Sequence, residues 1–344
     1  MGSLNWVSPV FAGMVRVLEP FRDGQTPEPA RTLLLEGWAY CAISTGPARA
    51  IGSHMALAKP TGPVGGSAAE DWRVYRHQTG WAALGLRELW ESRELLFFLT
   101  WRDVIVRYKQ AVLGVMWAIL QPLLTMIVFT VVFNRMLGVQ SPSTRFPYEV
   151  FSFAGLLPWQ FFAGALSRSG GSVVASANLL TKVYFPRLVI PLSAVLGGLL
   201  DFAISFAVLL VLMVAYQVAP TWNVVFLPLF ILLAIVVALG VSLWLSALNV
   251  LYRDVQYVIP FLVQLWMFVS PVIYSVSSVK SPILKIAFAL NPMTVVLSGF
   301  RWALLGEQAP FDVYAWISIA SVLLVLVGGL FYFKRTERVF ADVV

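Results

Sequence analysis

The feature that most constrains this chain is an uncharged, almost wholly apolar run that begins at Ala111 and continues until Arg135. Such a run exceeds the roughly 20 residues that a helix needs to cross a bilayer core. The preceding segment, residues 86–109, is amphipathic, and its charged residues lie opposite an apolar stripe formed by Leu86, Trp90, Phe97, Trp101, Val104 and Tyr108. The pattern predicts a helix that lies along a membrane surface and leads into a helix that crosses the membrane.

Composition extends this prediction to the rest of the chain. Hydrophobic residues make up 59% of the 344 residues and charged residues 12%, and the mean hydropathy is +0.80. Because a soluble domain carries about 25% charged residues, we expect an all-α integral membrane protein. After the first span, further spans are predicted at about residues 150–166, 189–216, 224–250, 257–274 and 313–333.

Prolines and polar residues modify this pattern of six transmembrane helices. We expect Pro158 to interrupt the second span, and Pro260 and Pro271 to break the fifth. The segment between the fifth and sixth spans is too polar for a simple span and too apolar for a free loop. It predicts short re-entrant helices, which satisfy their own backbone hydrogen bonds.

The distribution of basic residues predicts the orientation of the chain. Arg102, Arg107 and Lys109 crowd the start of the first span and Lys334 follows the last one, whereas Arg301 is assigned to an outer segment. Because lysine and arginine concentrate in cytoplasmic segments, both termini are predicted to be cytoplasmic. The basic residues thus indicate topology, and we expect no binding of nucleic acid.

The chain divides into three parts. Residues 1–80 contain no apolar run long enough to cross a membrane and no persistent periodicity, which predicts a poorly ordered N-terminal extension. Residues 81–110 form the predicted interfacial helix, and residues 111–344 form the transmembrane domain. Within the extension, the segment from Gly52 to Met55 resembles what tag cleavage leaves, and Met55 is an alternative start. Whether residues 1–54 belong to the natural product stays open.

The sequence offers little for catalysis. Cys41 is the only cysteine, and His54 and His77 are the only histidines, so a thiolate or histidine metal site is not expected. No G-x-x-x-x-G-K-[ST] phosphate loop, G-x-S-x-G motif or H-E-x-x-H motif occurs. We therefore expect neither an enzyme nor a cofactor bound to this chain.

Gln121 and Asp201 are polar side chains predicted to lie inside the spans. An ionised carboxylate in a bilayer costs on the order of 3 kcal/mol, so Asp201 should face a helix interface or a water-filled path. Two interpretations follow. A hydrogen bond to a local partner is favoured, because no second intramembrane acid or histidine exists to continue the alternative, an ion or proton relay.

Aromatic residues of the first and fifth spans are candidates for the lining of a passage, because sugars stack on aromatic faces. These candidates are Trp117, Phe129, Phe133, Phe261, Trp266 and Tyr274. The alternative is lipid-facing packing or interfacial anchoring. Arg102, Arg107 and Lys109 are candidates for binding a phosphate head group at the inner surface, and positive-inside anchoring is the alternative.

Several motifs in order resemble one family of membrane proteins. The run from Trp101 to Leu124, WRDVIVRYKQAVLGVMWAILQPLL, is similar to the opening of the membrane subunit of ABC-2 type transporters that export O-antigen, capsular polysaccharide or teichoic acid. The similarity continues in segments 178–182 (NLLTK), 249–255 (NVLYRDV) and 270–274 (SPVIY), and in Phe185-Pro186 and Asn291-Pro292. The family pattern does not require the segment before about Gly80.

The resemblance implies a homodimer of six-span subunits in the bacterial cytoplasmic membrane, each docked on a separate ATPase subunit that binds ATP and Mg²⁺. A lipid-linked polysaccharide would reach the basic inner surface and then pass the aromatic residues. Contact with the ATPase is implied for the interfacial helix and for Asn178, Leu179, Lys182, Phe185 and Pro186. Tyr252, Arg253 and Asp254 carry the family's inner-loop motif.

Two other functions stay open at this point. One is an ABC-2 permease for drugs or simple lipids. The other is an integral-membrane glycosyltransferase that uses a polyprenol carrier. Such enzymes usually place acids in a loop near the membrane surface, and here the candidate acids Glu149, Asp254, Glu307 and Asp312 are scattered along the sequence.

Overall fold

The computed structural model describes residues 86–109, 114–138, 146–182, 185–276, 279 and 281–340. The predicted N-terminal extension, residues 1–80, lies outside the described residues, and the predicted division into three parts stays a prediction. Within the described ranges the chain forms helices and turns, and no strand occurs there.

Thirteen α-helices make up the described part of the chain. The first six are α1 (Leu86–Glu91), α2 (Arg93–Lys109), α3 (Gly114–Phe129), α4 (Tyr148–Gly170), α5 (Ser172–Ala175) and α6 (Ala177–Lys182). The others are α7 (Val189–Leu196), α8 (Leu199–Ala215), α9 (Leu227–Leu251), α10 (Val255–Val269), α11 (Pro282–Leu290), α12 (Met293–Leu305) and α13 (Val313–Thr336). A π-helix, Thr130–Met136, continues α3, and the 3₁₀ turns Trp222–Phe226 and Glu337–Val339 flank α9 and α13.

The amphipathic segment is helical, as predicted, and part of its apolar stripe packs against the protein. A turn at Ser92 separates α1 from α2, and α2 packs against α7. Leu99 and Val104 are the buried residues of α2, whereas Phe97 and Trp101 are exposed by 71% and 54%. Of the predicted stripe, Val104 is buried and Tyr108 is partly buried, whereas Phe97 and Trp101 stay on the outside of the bundle.

Among the residues that the structure describes, five helices are long and apolar enough to cross a membrane: 116–136, 148–170, 189–215, 222–251 and 313–336. The predicted fifth span is shorter than expected, because α10 has 15 residues and ends before Pro271. Pro158 lies inside α4 and Pro260 inside α10 without ending either helix. Each proline removes one backbone hydrogen bond of its helix, and the remaining bonds and the packing keep both helices continuous.

The predicted short helices between the fifth and sixth spans are α11 and α12. They meet at Asn291 at an angle of 99°, and counting them as one bent span brings the total to six. The Asn291 amide holds this corner, because its Nδ2 donates to Ser270 Oγ at 2.8 Å and its Oδ1 accepts from Trp266 Nε1 and from the Met293 backbone N–H, each at 3.1 Å. The SPVIY and Asn-Pro motifs thus meet in space.

Helix α4 is the centre of the main core. It is buried along most of its length and packs against α3, α7, α8, α9, α10 and α12. A second, smaller core joins α2, the segment after α6 and the C-terminal end of the described chain through Leu99, Phe185, Leu188, Phe333 and Phe340. Arg187 strengthens this junction, because its Nη1 donates to the Glu337 carbonyl and its guanidinium lies 5.9 Å from the centre of the Phe340 ring.

Candidate functional site

A charged cluster surrounds Asp201, in the first turn of α8. Its Oδ2 accepts a hydrogen bond from Arg107 Nη1 and its Oδ1 accepts one from the Tyr108 hydroxyl, both from the end of α2. Arg168 Nη1, from α4, lies 3.6 Å from Asp201 Oδ2, while Arg168 Nε donates to the Ala194 carbonyl at 3.3 Å. The sequence favoured a local partner for Asp201, and the structure provides three.

Glycines leave the space that Arg168 occupies. A Cβ atom at Gly164, one turn before Arg168 in α4, would lie 2.8 Å from Arg168 Nη1. A Cβ atom at Gly198 would overlap Arg168 Nη2. The two glycines therefore let the guanidinium reach Asp201 between α4 and the start of α8.

The cluster borders a cavity of about 700 Å³ between α2, α3, α4 and α8. Its polar side chains are Arg107, Tyr108, Gln121, Gln160, Ser167, Arg168, Asp201 and Ser205. Its apolar wall is formed chiefly by Trp117, Pro122, Leu157, Phe161 and Phe202. The cavity is thus lined by both charged and apolar side chains, as a site for an amphipathic molecule would be.

Electrostatics give the cluster a net positive charge, since two guanidinium groups face one carboxylate. Burial raises the pKa of the Tyr108 hydroxyl to about 12, and its hydrogen bond to Asp201 and the charge of that carboxylate add to this increase. Tyr108 therefore stays a neutral hydrogen-bond donor at physiological pH. Among the described residues no group of three or more His, Cys, Asp or Glu side chains lies close enough to hold a metal ion.

The structure brings together three residues that the sequence assigned separately. Arg107, Trp117 and Gln121 line the same cavity as Asp201. Arg102 instead pairs with its neighbour Asp103 at 2.8 Å on the exposed side of α2, where Lys109 is also exposed. Of the three basic residues proposed for head-group binding, Arg107 is the one at the cavity.

The aromatic candidates divide by exposure. Phe261 is exposed by 62% on α10, and Trp117 is exposed by 52% at the cavity. Phe129 and Phe133 pack edge to face with their ring centres 5.5 Å apart. Trp266 packs on Phe162 and Tyr274 packs on Phe288.

The residues implied in ATPase contact lie around α6. Asn178 is exposed and Leu179 is partly buried, while Lys182 ends the helix and its side chain lies outside the described residues. Phe185 is buried in the second core and Pro186 is partly buried.

The inner-loop motif forms an exposed turn. Tyr252, Arg253 and Asp254 all have exposed side chains, and they connect α9 to α10. The buried Asn249 fixes this turn, because its Oδ1 accepts a hydrogen bond from the Gln256 backbone N–H at 3.0 Å.

Sequence reasoning missed Arg168, Tyr108 and Gln160 as members of the site. The sequence analysis assigned Tyr108 to the apolar stripe and gave Arg168 and Gln160 no role in a site. The sequence signal that could have indicated these residues is a pattern of small residues near the charges. Gly164 precedes Arg168 by one helical turn, and a Gly-Gly pair precedes Asp201.

Arg301 is a second residue whose environment the sequence did not reveal. It was assigned to an outer segment, yet it is 2% exposed in α12. Its Nη1 donates to the carbonyls of Pro271 and Tyr274, each at 2.9 Å, and its Nη2 donates to that of Val272. The guanidinium also lies 3.8 Å from the centre of the Phe151 ring.

These features define a multi-pass integral membrane protein with a bent helix pair before its last span and a basic, amphipathic cavity between four of its helices. More specifically, residues 94–305 match the family described as ABC-2 type transporter, and the chain belongs to that family.

Curated proteins of known name are similar to most of this chain. The O-antigen export system permease protein RfbA of Myxococcus xanthus is 34% identical over 256 residues, which cover 73% of this chain and 96% of that protein. RfbA of Klebsiella pneumoniae is 29% identical over 251 residues, covering 73% and 95%. The polysialic acid transport protein KpsM of Escherichia coli is 27% identical over 238 residues, covering 69% and 91%. The aligned part of the chain therefore spans nearly the full length of each of these relatives.

Proposed function

We propose that this protein is the membrane-spanning subunit of a transporter that exports lipid-linked polysaccharide across the bacterial cytoplasmic membrane. The observation that carries this proposal is its similarity, over nearly their full length, to permeases named for export of O-antigen and transport of polysialic acid. The chain lacks a phosphate loop, so ATP and Mg²⁺ are bound by a separate ATPase subunit, and transport is driven from there.

The active unit in this proposal is a homodimer with the cargo path between its two copies. Apolar side chains of α10, including Tyr257, Phe261 and Phe268, are exposed in the single chain. The same holds for Leu124 and Val128 of α3. A second copy facing α3 and α10 would cover these residues in part and leave aromatic faces along a passage.

Coupling to the ATPase is mechanical in this proposal. The exposed helix α6, with Asn178, offers a docking point, and the adjoining Phe185 and Leu188 belong to the second core. Because Leu99 of α2 lies in the same core, a displacement of the segment after α6 is transmitted to the interfacial helix. Packed cores of this kind change between discrete arrangements instead of deforming gradually.

The proposed orientation has both termini in the cytoplasm. Arg107, Arg168 and Asp201 would then lie at the inner leaflet, where a lipid-linked cargo is assembled. The basic residues at the end of α13, Lys334 and Arg335, support this orientation.

Reconstitution tests the proposal. The chain is co-purified with its ATPase partner from native membranes and inserted into vesicles that contain lipid-linked polysaccharide. We expect ATP-dependent movement of the glycan across the bilayer, and substitution of the exposed Asn178 by Trp should reduce glycan-stimulated ATP hydrolysis. Substitution of the exposed Trp222 by Asn, in the turn before α9 and outside the proposed contacts, is the control.

Three results would contradict the proposal. ATP-driven transport by this chain without a partner would show that the chain itself hydrolyses ATP. Stimulation of the ATPase by small amphiphiles and not by lipid-linked glycan would indicate a permease for drugs or simple lipids. Sugar transfer by the isolated chain, abolished by substitution of Asp254 or Glu307, would indicate a glycosyltransferase.

A further inference from the structure

We propose that the cavity between α2, α3, α4 and α8 binds the phosphate group of an anionic lipid, and that Asp201 occupies the position of this phosphate until the lipid arrives. The identification of this lipid as the anchor of the cargo rests on the proposed function. The chemical class of the ligand, a phosphate on an apolar chain, is inferred from the residues that line the cavity.

The charge balance of the cluster leaves room for a second anion. One carboxylate, Asp201, accepts from Arg107 and Tyr108 and is the acidic group facing Arg168 in the cavity. The separation of 3.6 Å between Arg168 Nη1 and Asp201 Oδ2 is an ion pair that is too long for a hydrogen bond. A phosphate offers more acceptor oxygens than a carboxylate and can be bound by two guanidinium groups at once.

Arg168 is already held in position for such a ligand. Its Nε donates to the Ala194 carbonyl, and Gly164 and Gly198 provide the space for its guanidinium. A ligand therefore does not bear the full entropic cost of ordering this side chain, which strengthens binding. The side chains of Arg107 and Asp201 keep 30% and 31% of their surface exposed, so an anion in the cavity can reach the pair.

The apolar wall fits a lipid better than a free anion. Trp117, Phe161 and Phe202 lie beside the charged cluster in the same cavity, where an acyl or prenyl chain would cover them. A volume of about 700 Å³ is within the range of small-molecule sites. It accommodates a head group and the first part of a chain, whereas a polysaccharide is far too large.

Occupation of this site would act on the interfacial helix. In the structure Asp201 of α8 holds the end of α2 through Arg107 and Tyr108. A phosphate that binds Arg107 in place of Asp201 would weaken this attachment and favour a state in which α2 is free to shift. A ligand changes such an equilibrium only through different contacts in the two states, and the exchange of Asp201 for phosphate is such a difference.

The test measures lipid binding to the purified full-length chain in nanodiscs of phosphatidylcholine. The probes are a polyprenyl phosphate, phosphatidic acid, the neutral polyprenol and inorganic phosphate. We expect both phosphate lipids to bind and the neutral polyprenol to bind at least tenfold more weakly. Arg168→Gln should weaken binding of the phosphate lipids about tenfold or more, because one charge-assisted contact is lost.

Asp201→Asn distinguishes this inference from a purely structural role. Removal of the competing carboxylate should tighten binding of the phosphate lipids about tenfold, whereas a structural salt bridge predicts weaker binding or none. Arg93→Gln is the control for Arg168→Gln, because Arg93 is an exposed arginine of α2 that does not line the cavity and whose guanidinium lies over Trp90. It should leave all affinities unchanged.

Several outcomes would overturn the inference. Equal binding of polyprenol and polyprenyl phosphate, or unchanged affinity in Arg168→Gln, would exclude the phosphate contact. Inorganic phosphate binding as tightly as the lipids would indicate a site for a free anion. If Asp201→Asn does not fold, Arg168→Gln still tests the phosphate contact, because this variant keeps the ion pair between Arg107 and Asp201. Lipid binding without ATP-driven glycan export would refute the proposed function alone, and export without lipid binding would refute this inference alone.

Discussion

Replacement of Arg301 by methionine should destabilise the protein strongly. The four successive carbonyls of residues 271–274 lie outside any helix, where a bilayer offers no water to bond them. Arg301 donates to three of them, and the Tyr148 hydroxyl donates to the fourth, that of Ile273, at 3.2 Å. Methionine fills a similar volume but donates no hydrogen bond.

The magnitude follows from two opposing contributions. Each of the three carbonyls left without a donor costs about 1–3 kcal/mol, and the contact with Phe151 adds up to about 2 kcal/mol. Against this, methionine does not carry the several kcal/mol that burial of a guanidinium costs. We expect a net loss of about 3–5 kcal/mol, the range for removing one partner of a buried charge interaction.

Equilibrium unfolding of the purified chain in mixed detergent micelles measures this loss. Arg301→Lys should lie between the wild type and Arg301→Met, because one ammonium cannot reach three carbonyls that a planar guanidinium spans. Arg135→Met is the control, since Arg135 is an exposed arginine at the end of the first span. An Arg301→Met protein that unfolds at the same denaturant concentration as the control would refute the assignment of Arg301 as the donor for this segment.

A second substitution tests the same contact from the opposite side. A Cβ atom at Gly155 would lie 2.8 Å from the Val272 carbonyl oxygen and would collide with Arg301 Nη2. Alanine is a better helix former than glycine by about 1 kcal/mol, so propensity alone predicts that Gly155→Ala stabilises α4. We expect destabilisation instead, and a more stable Gly155→Ala protein would contradict the close packing described.

Three further predictions concern single contacts. Asn291→Ala should lower the free energy of unfolding by about 2–4 kcal/mol, because it removes the amide that bonds three other groups at the bend between α11 and α12. Gly299→Ala should cost about 1–3 kcal/mol, since its Cβ would overlap the Phe230 ring; detergent unfolding measures both, and an unchanged midpoint would contradict either prediction. Ultraviolet titration of Tyr108→Phe against the wild type should show the loss of one phenol that ionises near pH 12. The stabilising contribution of Tyr108 is present below pH 10 and lost as the pH rises towards 12. If the phenol lost in Tyr108→Phe titrates near pH 10 in the wild type, that result would contradict the burial of this hydroxyl beside Asp201.

The sequence by itself determined the class of the protein. Apolar runs and their lengths are local properties, so the spans around residues 116–136 and 313–336 could be predicted closely. The family was recognisable for the same reason, because motifs such as SPVIY are contiguous, and the match over residues 94–305 agrees with it. The residues proposed for ATPase contact and for the cargo path stay predictions, since these roles depend on partners.

Local pattern was less reliable where packing competes with it. Proline was expected to interrupt α4 and α10, yet both helices continue through Pro158 and Pro260. The apolar stripe of the interfacial segment faces two environments, because Val104 is buried within the bundle whereas Phe97 and Trp101 are exposed. Periodicity reports that a helix has an apolar side, but it does not say which neighbour covers that side.

Only the tertiary structure decided the charged site. Arg107, Arg168 and Asp201 belong to three different helices, and their contacts join residues that lie far apart in the sequence. The sequence likewise assigned Arg301 to an outer segment without indicating that it is buried and bonded to carbonyls of residues 271–274. Hydropathy adds up along the chain, residue by residue, whereas a charge inside a membrane protein is stable only through partners that folding brings to it.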